Sequence, residues 1–143
     1  MDTLFITPHL STGGLPQYLV QRVEELVDSG QDVGVVEWSD IAPIYRVQKD
    51  RIKELINGRL TSWPQGTSEM VKSQELFALI GKEKPGVVHL AEFPEGFLPQ
   101  GVSDRLYTEG REYQMVETTH DSGFLKESKR TRPDRFEFVS QYH

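Results

Sequence analysis

The stretch LFITPHLSTGGLPQYLVQRVEELVDSG, residues 4–30, joins two hydrophobic patterns of different period. Residues 3–7 are apolar and partly β-branched, which predicts a buried strand. Beyond a short loop, apolar side chains recur at helical spacing, with Pro16 near the first turn and Gly30 where a helix is expected to end. This stretch therefore predicts a strand, a glycine-containing loop and a helix.

The same alternation continues along the chain. Further strands are predicted at 32–38, 87–92, 113–120 and 135–140, together with a weak helix at 48–56, a helix capped by Ser68 or Thr67, and a short helix at 101–111. This order predicts a single α/β domain over residues 1–143, with a parallel sheet covered by helices on both faces. Because the chain stops just after a strand, at SQYH, where a doubly wound fold normally continues with a helix, we expect a truncated domain.

Composition narrows the classes of function. The 143 residues are 36% hydrophobic and 27% charged, as in ordinary soluble domains, and a net charge of −6 argues against a nucleic-acid partner. The basic stretch 126–135 is typical of a solvated loop, and a local site for phosphate or an acidic partner is the less favoured alternative. The absence of cysteine excludes thiolate chemistry and fits a cytoplasmic location. No apolar run approaches the ~20 residues of a membrane span, although association of one face with a membrane stays open.

Ligands of open α/β sheets bind outside the carboxyl ends of the strands. Four predicted loops meet this condition: PHLSTGG at 8–14, EWSD at 37–40, HLAEFPE at 89–95 and ETTHDSGF at 117–124. The first offers small residues and the free N–H groups of a helix N-terminus, which suit an anion. It matches neither the G-x-G-x-x-G motif nor the P-loop motif. By itself the pattern therefore favours a tight turn over a ligand site.

His120 and Asp121 follow a predicted strand directly. The histidine could bond a substrate hydroxyl with Asp121 orienting it, or could merely bond a backbone carbonyl, and position alone does not decide between these roles. With Ser122, these two residues give the three residue types of a Ser-His-Asp catalytic triad. Three consecutive residues cannot, however, place their side chains in the hydrogen-bonded geometry of a triad.

Glu92 and Glu95 could act as paired carboxylates. Solvation, or capping of the helix near residue 101, is the commoner role of such residues and is favoured. No metal site is predicted, because the histidines are scattered, at His9, His89, His120 and His143.

Across nearly its whole length the chain resembles the N-terminal domain of a GT-B glycosyltransferase of the retaining family 4. The resemblance rests on FITPHLSTGGLPQYLVQRVEEL, VVHLAEFPEGF, YQMVETTHDSGF and PDRFEFVSQYH, in that order. It implies a Rossmann-like fold, the N-terminal half of a GT-B enzyme. It also implies glycosyl transfer from a nucleotide sugar to an unknown acceptor, with no metal and no further cofactor.

The resemblance also implies roles for single residues. Thr12, Gly13 and Gly14 correspond to the glycine loop near the donor diphosphate and the acceptor, and we expect both glycines to be exposed. His120 corresponds to the histidine that contacts the transferred sugar, with Asp121 beside it. Glu92 and Glu95 correspond to a loop near the acceptor, and Ser140 to a cleft-lining strand end without an assigned role.

One departure from the family pattern is large. The C-terminal donor-binding domain, the implied partner, is absent, and the spacing of Glu109 and Glu117 matches that domain's E-x7-E motif by chance. The chain is therefore expected to be an acceptor-side half with little activity alone. The alternative is a stand-alone flavodoxin-like or Rossmann-like module that binds a ligand or a partner without catalysis.

Overall fold

A computed structural model describes residues 1–11, 14–40, 47–119 and 131–138 of the chain. The strands are β1 (Thr3–Thr7), β2 (Val33–Glu37), β3 (Leu60–Thr61), β4 (Val87–Leu90), β5 (Gln114–Thr119) and β6 (Arg135–Phe138). The helices are α1 (Gly14–Asp28), α2 (Val47–Leu55), α3 (Glu69–Glu83) and α4 (Gln100–Leu106). A single turn of 3₁₀ helix covers Pro94–Gly96, between β4 and α4.

The strands form one parallel sheet in the order β3-β2-β1-β4-β5-β6. The chain builds outward from β1 to β3, returns to the centre, and then continues in the opposite direction from β4 to β6. The loops that follow β1 and β4 therefore diverge at the topological switch point, where doubly wound sheets bind their ligands.

The alternation of side chains along β1 explains the two hydrophobic cores. Leu4 and Ile6 face a core that includes Leu76 of α3 and Leu106 of α4. Phe5 faces the other side, where it packs with residues of α1 and α2 that include Leu19, Val23 and Ile52. The predicted parallel α/β sheet with helices on both faces is thus confirmed.

Several local predictions are also confirmed. Ser68 caps α3, since its side-chain oxygen accepts a hydrogen bond from the Val71 N–H at 3.2 Å. Gly30, just beyond α1, has φ of +90°, a conformation that favours glycine. The last two residues of the predicted final strand, 139–140, lie outside the described residues. No helix in the described part of the chain is long and apolar enough to span a membrane.

Candidate functional site

The loop after β1 is held close to the sheet by short polar contacts. The Thr7 hydroxyl donates to the His9 carbonyl at 3.2 Å. The Ser11 N–H donates to His9 Nδ1 at 3.3 Å, and the Ser11 hydroxyl lies 2.9 Å from the same nitrogen. Because Nδ1 accepts here, the neutral ring carries its proton on Nε2. His9 therefore offers an N–H donor on the side of the ring away from Ser11.

A buried carboxylate at the end of β2 anchors the same loop. Glu37 is 1% exposed and accepts a hydrogen bond from the Leu10 N–H at 2.8 Å. Its other oxygen accepts from the Ser62 hydroxyl at 2.7 Å and lies 2.7 Å from Lys49 Nζ. Asp40 lies 3.6 Å from the same ammonium group. This network ties β2, β3 and α2 to the loop after β1.

The position of Glu37 bears on the ligand class. In dinucleotide-binding folds, an acidic residue near the end of the second strand holds the ribose hydroxyls of the cofactor. Both Glu37 oxygens are instead engaged within the chain, by Leu10, Ser62 and Lys49. The geometry therefore argues against binding of a dinucleotide through this carboxylate.

Gly14 is the first residue of α1 and is exposed, as the sequence predicted. Its φ lies outside the positive range that L side chains avoid, and a Cβ built on it meets no atom within 4 Å. Neither backbone conformation nor internal packing of the described chain thus requires glycine here. Glycine in the middle of a helix costs about 0.5–1 kcal/mol relative to alanine, and less at the first helical position, where Gly14 lies. The missing side chain leaves open space beside the first N–H groups of α1.

The two glutamates of the loop after β4 have different surroundings. Glu92 accepts a hydrogen bond from the adjacent Phe93 N–H at 3.0 Å and is half-buried. Glu95 Oε2 accepts from the Thr131 N–H at 2.9 Å and lies 3.1 Å from the Thr131 hydroxyl. Neither residue caps α4, whose N-cap is Pro99 without a side-chain hydrogen bond. Glu95 therefore joins the loop after β4 to the segment before β6.

Thr131 also connects Glu95 to a buried cluster formed by Glu117 and Tyr107. Its hydroxyl lies 3.0 Å from Glu117 Oε2, and the Tyr107 hydroxyl donates to the same oxygen. Glu117 is fully buried on β5. Burial and the negative charge of Glu117 raise the pKa of Tyr107, so its hydroxyl stays protonated as the donor. The cluster fixes the position of the Glu95 carboxylate.

The remaining predicted site residues fall outside the described part of the chain. These are Thr12, Gly13, His120, Asp121 and Ser140. Of the predicted substrate-binding residues, the structure therefore places Gly14, Glu92 and Glu95. They follow β1 and β4, on the two sides of the switch point.

Sequence reasoning selected the loops that contain His9 and Glu37 but singled out neither residue, and it did not select Lys49. A signal for Glu37 was available, because it is a charged residue that directly follows the apolar centre of a buried strand. Lys49 gave no such signal, since its contact with Glu37 depends on how α2 packs. Among the described residues, no group of three or more His, Asp or Glu side chains is arranged to hold a metal ion.

No protein-family model matches the chain, and no curated protein matches it. Among solved structures, the chain is similar to the crystal structure of glucose-6-phosphate 1-dehydrogenase from Mycobacterium avium, with a TM-score of 0.50 and 19% sequence identity. The match covers 82% of this chain and 29% of the dehydrogenase chain. At this identity the likeness concerns the fold alone. Together with the sheet order, it establishes the chain as an α/β protein with a Rossmann-like fold.

Proposed function

We propose that the chain is the acceptor-side domain of a nucleotide-sugar-dependent, retaining glycosyltransferase of the GT-B type. In the complete enzyme, a C-terminal domain would bind the donor, and transfer to an acceptor would occur in the cleft between the domains. The nucleotide sugar would be a co-substrate, with no metal required. This chain alone would have little activity.

The observation that carries the proposal is the open space at Gly14 together with its position, at the start of the helix that follows β1 and beside the switch point of the sheet. The described fold gives no internal reason for glycine at this position, and the missing side chain lies at the N-terminus of a 15-residue helix. The partial positive charge and free N–H groups of that end favour an anion. A diphosphate that approaches the backbone closely accounts for both features, and the sequence resemblance assigns this loop to the donor diphosphate and the acceptor.

The other site residues keep their proposed roles. His120 would hydrogen-bond the transferred sugar near its reacting carbon, with Asp121 beside it, while Glu92 and Glu95 would lie on the acceptor side. The His9 N–H donor, which follows β1, adds a candidate contact to negative charge. Fixed N–H donors of this kind would stabilise the leaving diphosphate electrostatically.

The first prediction concerns donor affinity. Calorimetric titration of UDP-glucose and GDP-mannose into this chain, and into the protein encoded by the whole reading frame, should show at least tenfold tighter binding by the latter, because most donor contacts would lie in the second domain. Tight binding by this chain alone, with no gain from the longer protein, would contradict the assignment. A reading frame without a second domain would favour the stand-alone binding module.

The second prediction separates stability from function at Gly14. Gly14→Ala should raise the free energy of unfolding by less than about 1 kcal/mol, because alanine is the better helix former but the residue lies at the first helical position. The same methyl group should lower kcat/KM of the complete transferase about tenfold, since steric crowding of this kind costs ~1–3 kcal/mol. Urea unfolding of this chain and steady-state kinetics of the complete enzyme measure the two effects.

Gly81→Ala is the matched control. Gly81 lies within α3, is exposed, and has no atom within 4 Å of a built Cβ. It lies in the C-terminal part of α3, which precedes the start of β4 and is therefore near the amino-terminal ends of the strands, opposite the candidate site. The substitution should raise stability similarly and leave kcat/KM unchanged. Equal activity of both alanine variants would remove Gly14 from the site.

A further inference from the structure

A cavity lies at the opposite end of the sheet from the candidate site, where α3 ends and where β4 and β5 begin. The Gln114 N–H donates to the Gly86 carbonyl at 3.0 Å, so the segments before β4 and β5 enter the sheet side by side. We call this cavity the α3–β5 pocket. It has a volume of about 350 Å³ and is lined by Ile80, Gly81, Lys84, Pro85, Gly86, Glu112 and Tyr113.

The walls of the pocket are largely apolar and held in place. Ile80 and Tyr113 are half-buried and pack against the core on the α3 side of the sheet, and Pro85 is buried. The Tyr113 hydroxyl donates to the Leu106 carbonyl at 2.7 Å, which fixes the ring. Sites for small molecules are mostly apolar and measure ~300–1,000 Å³, so this pocket suits a small ligand that carries an apolar group.

Two side chains of opposite charge stand at the mouth of the pocket. Lys84 and Glu112 both line it, and both are exposed. Within the described part of the chain, neither side chain makes a hydrogen bond or an ion pair, either with the other or with a third residue. The pocket therefore combines apolar walls with one cation and one anion that the fold does not use.

The backbone at Lys84 indicates separately that its side chain has a use. The residue has φ of +47° and ψ of +60°, the left-handed conformation in which helices commonly end with glycine. The capping hydrogen bond, from the N–H of residue 84 to the Ile80 carbonyl, involves backbone atoms alone. Glycine would form the same bond with less strain. The fold thus does not account for lysine here, whereas a role for the ammonium group at the pocket does.

Gly81 and Gly86 leave space in the same pocket. Gly81 lies within α3, although glycine is a poor helix former, and a Cβ built on it meets no atom within 4 Å. Gly86 has no positive φ, and its built Cβ makes only an ordinary contact, 3.5 Å from the Asp2 carbonyl oxygen. Neither backbone conformation nor packing requires glycine at these positions. A ligand that occupies the space beside them accounts for both.

We propose that the α3–β5 pocket binds a free α-amino acid with a large apolar side chain, such as phenylalanine or leucine. The apolar side chain lies against Ile80, Pro85 and Tyr113, while the carboxylate pairs with Lys84 and the ammonium group pairs with Glu112. A nucleotide or a sugar phosphate fits poorly, because the negative charge of Glu112 offsets the positive charge of Lys84. The inference goes beyond the proposed function and does not depend on it.

The test is a titration of ¹⁵N-labelled chain with free amino acids, followed by NMR. L-Phenylalanine or L-leucine should give saturable shifts at the amides of Gly81, Lys84, Gly86 and Tyr113, and none at Leu10 in the candidate site. Free glycine carries both charges without an apolar side chain, so it should bind at least tenfold more weakly. N-acetyl-L-phenylalanine amide, which carries the side chain without the charges, should bind about tenfold more weakly.

Variants of the charged residues identify the contacts. Lys84→Gln and Glu112→Gln should each weaken binding of L-phenylalanine about threefold, the effect expected when one exposed ion pair is lost. Lys84→Gly should weaken it similarly without lowering the urea midpoint, because glycine favours the left-handed backbone. Lys82→Gln is the matched control: Lys82 is exposed in α3 but does not line the pocket, so affinity should not change.

Absence of saturable shifts with both L-phenylalanine and L-leucine would overturn the inference. Equal binding of free glycine or of the uncharged amide would also overturn it, as would equal effects of Lys82→Gln and Lys84→Gln. None of these measurements uses transferase activity, so their failure leaves the proposed function in place. Gly81→Ala stays a valid kinetic control for Gly14→Ala, because the pocket lies at the other end of the sheet and the kinetic assays contain no free amino acid.

Discussion

Replacement of Lys49 by methionine is expected to lower the free energy of unfolding by about 3–5 kcal/mol, the cost of leaving a buried charge without its partner. The Lys49 side chain is 9% exposed and lies 2.7 Å from a carboxylate oxygen of Glu37, which is 1% exposed. Methionine retains most of the apolar stem but removes the cation. Urea unfolding at neutral pH, compared with the wild-type chain, measures the loss.

Two further variants identify the cause. Adding Glu37→Gln to Lys49→Met should recover much of the lost stability, because a neutral amide can still accept the hydrogen bond from the Leu10 N–H. Arg51→Gln, which breaks an ion pair with both side chains 46% exposed, should cost less than about 1 kcal/mol. If Lys49→Met cost no more than Arg51→Gln, the buried network would not hold the loop after β1 as described.

Those features of the fold that depend on local pattern could be predicted from the sequence. Residues 3–7 form a strand with the predicted bounds, and Ser68 caps α3 because its hydroxyl competes well for free N–H groups at a helix start. The two-residue strand β3 is not among the predicted strands, because so short a strand has no periodicity of its own. This strand is defined by its parallel pairing with β2 and not by a local sequence pattern.

The site was less predictable, because its contacts join distant segments. Its position at the carboxyl ends of the strands follows from the parallel sheet, which local patterns already indicate. The hydrogen bonds of Glu95 with Thr131 and of Glu37 with Leu10 depend on packing across 36 and 27 residues respectively. No sequence motif indicates such pairs. The predicted strand at 87–92 includes His89, but its contact with Phe5 depends on the pairing of β1 with β4.

The buried position of His89 has a consequence for stability in acid. The ring is 2% exposed, lies 4.7 Å from the Phe5 ring between centroids, and contacts the Thr118 hydroxyl. Burial lowers its pKa from 6.5 to about 4, against the opposing effect of Glu137 and together with the positive charges of Arg22 and Arg135. The folded chain therefore holds the neutral imidazole, whereas the unfolded chain binds a proton near pH 6.5.

This difference should make folding stability fall as pH decreases from about 6.5 to about 4, with a total loss of ~3 kcal/mol from this group. The folded-state pKa is the lower one, so the contribution of His89 is complete above pH 6.5 and lost below pH 4. His89→Gln and His89→Phe cannot bind this proton, and although both are expected to be less stable at neutral pH, their stability should fall less steeply over this range. Urea unfolding at pH 7, 5.5 and 4.5 measures the difference in slope; carboxylates other than Glu137, which interacts with His89, contribute equally in all three proteins. Parallel pH profiles in the wild type and both variants would mean that the ring has the same pKa in the folded chain as in the unfolded chain, as expected of an imidazole that is accessible to water.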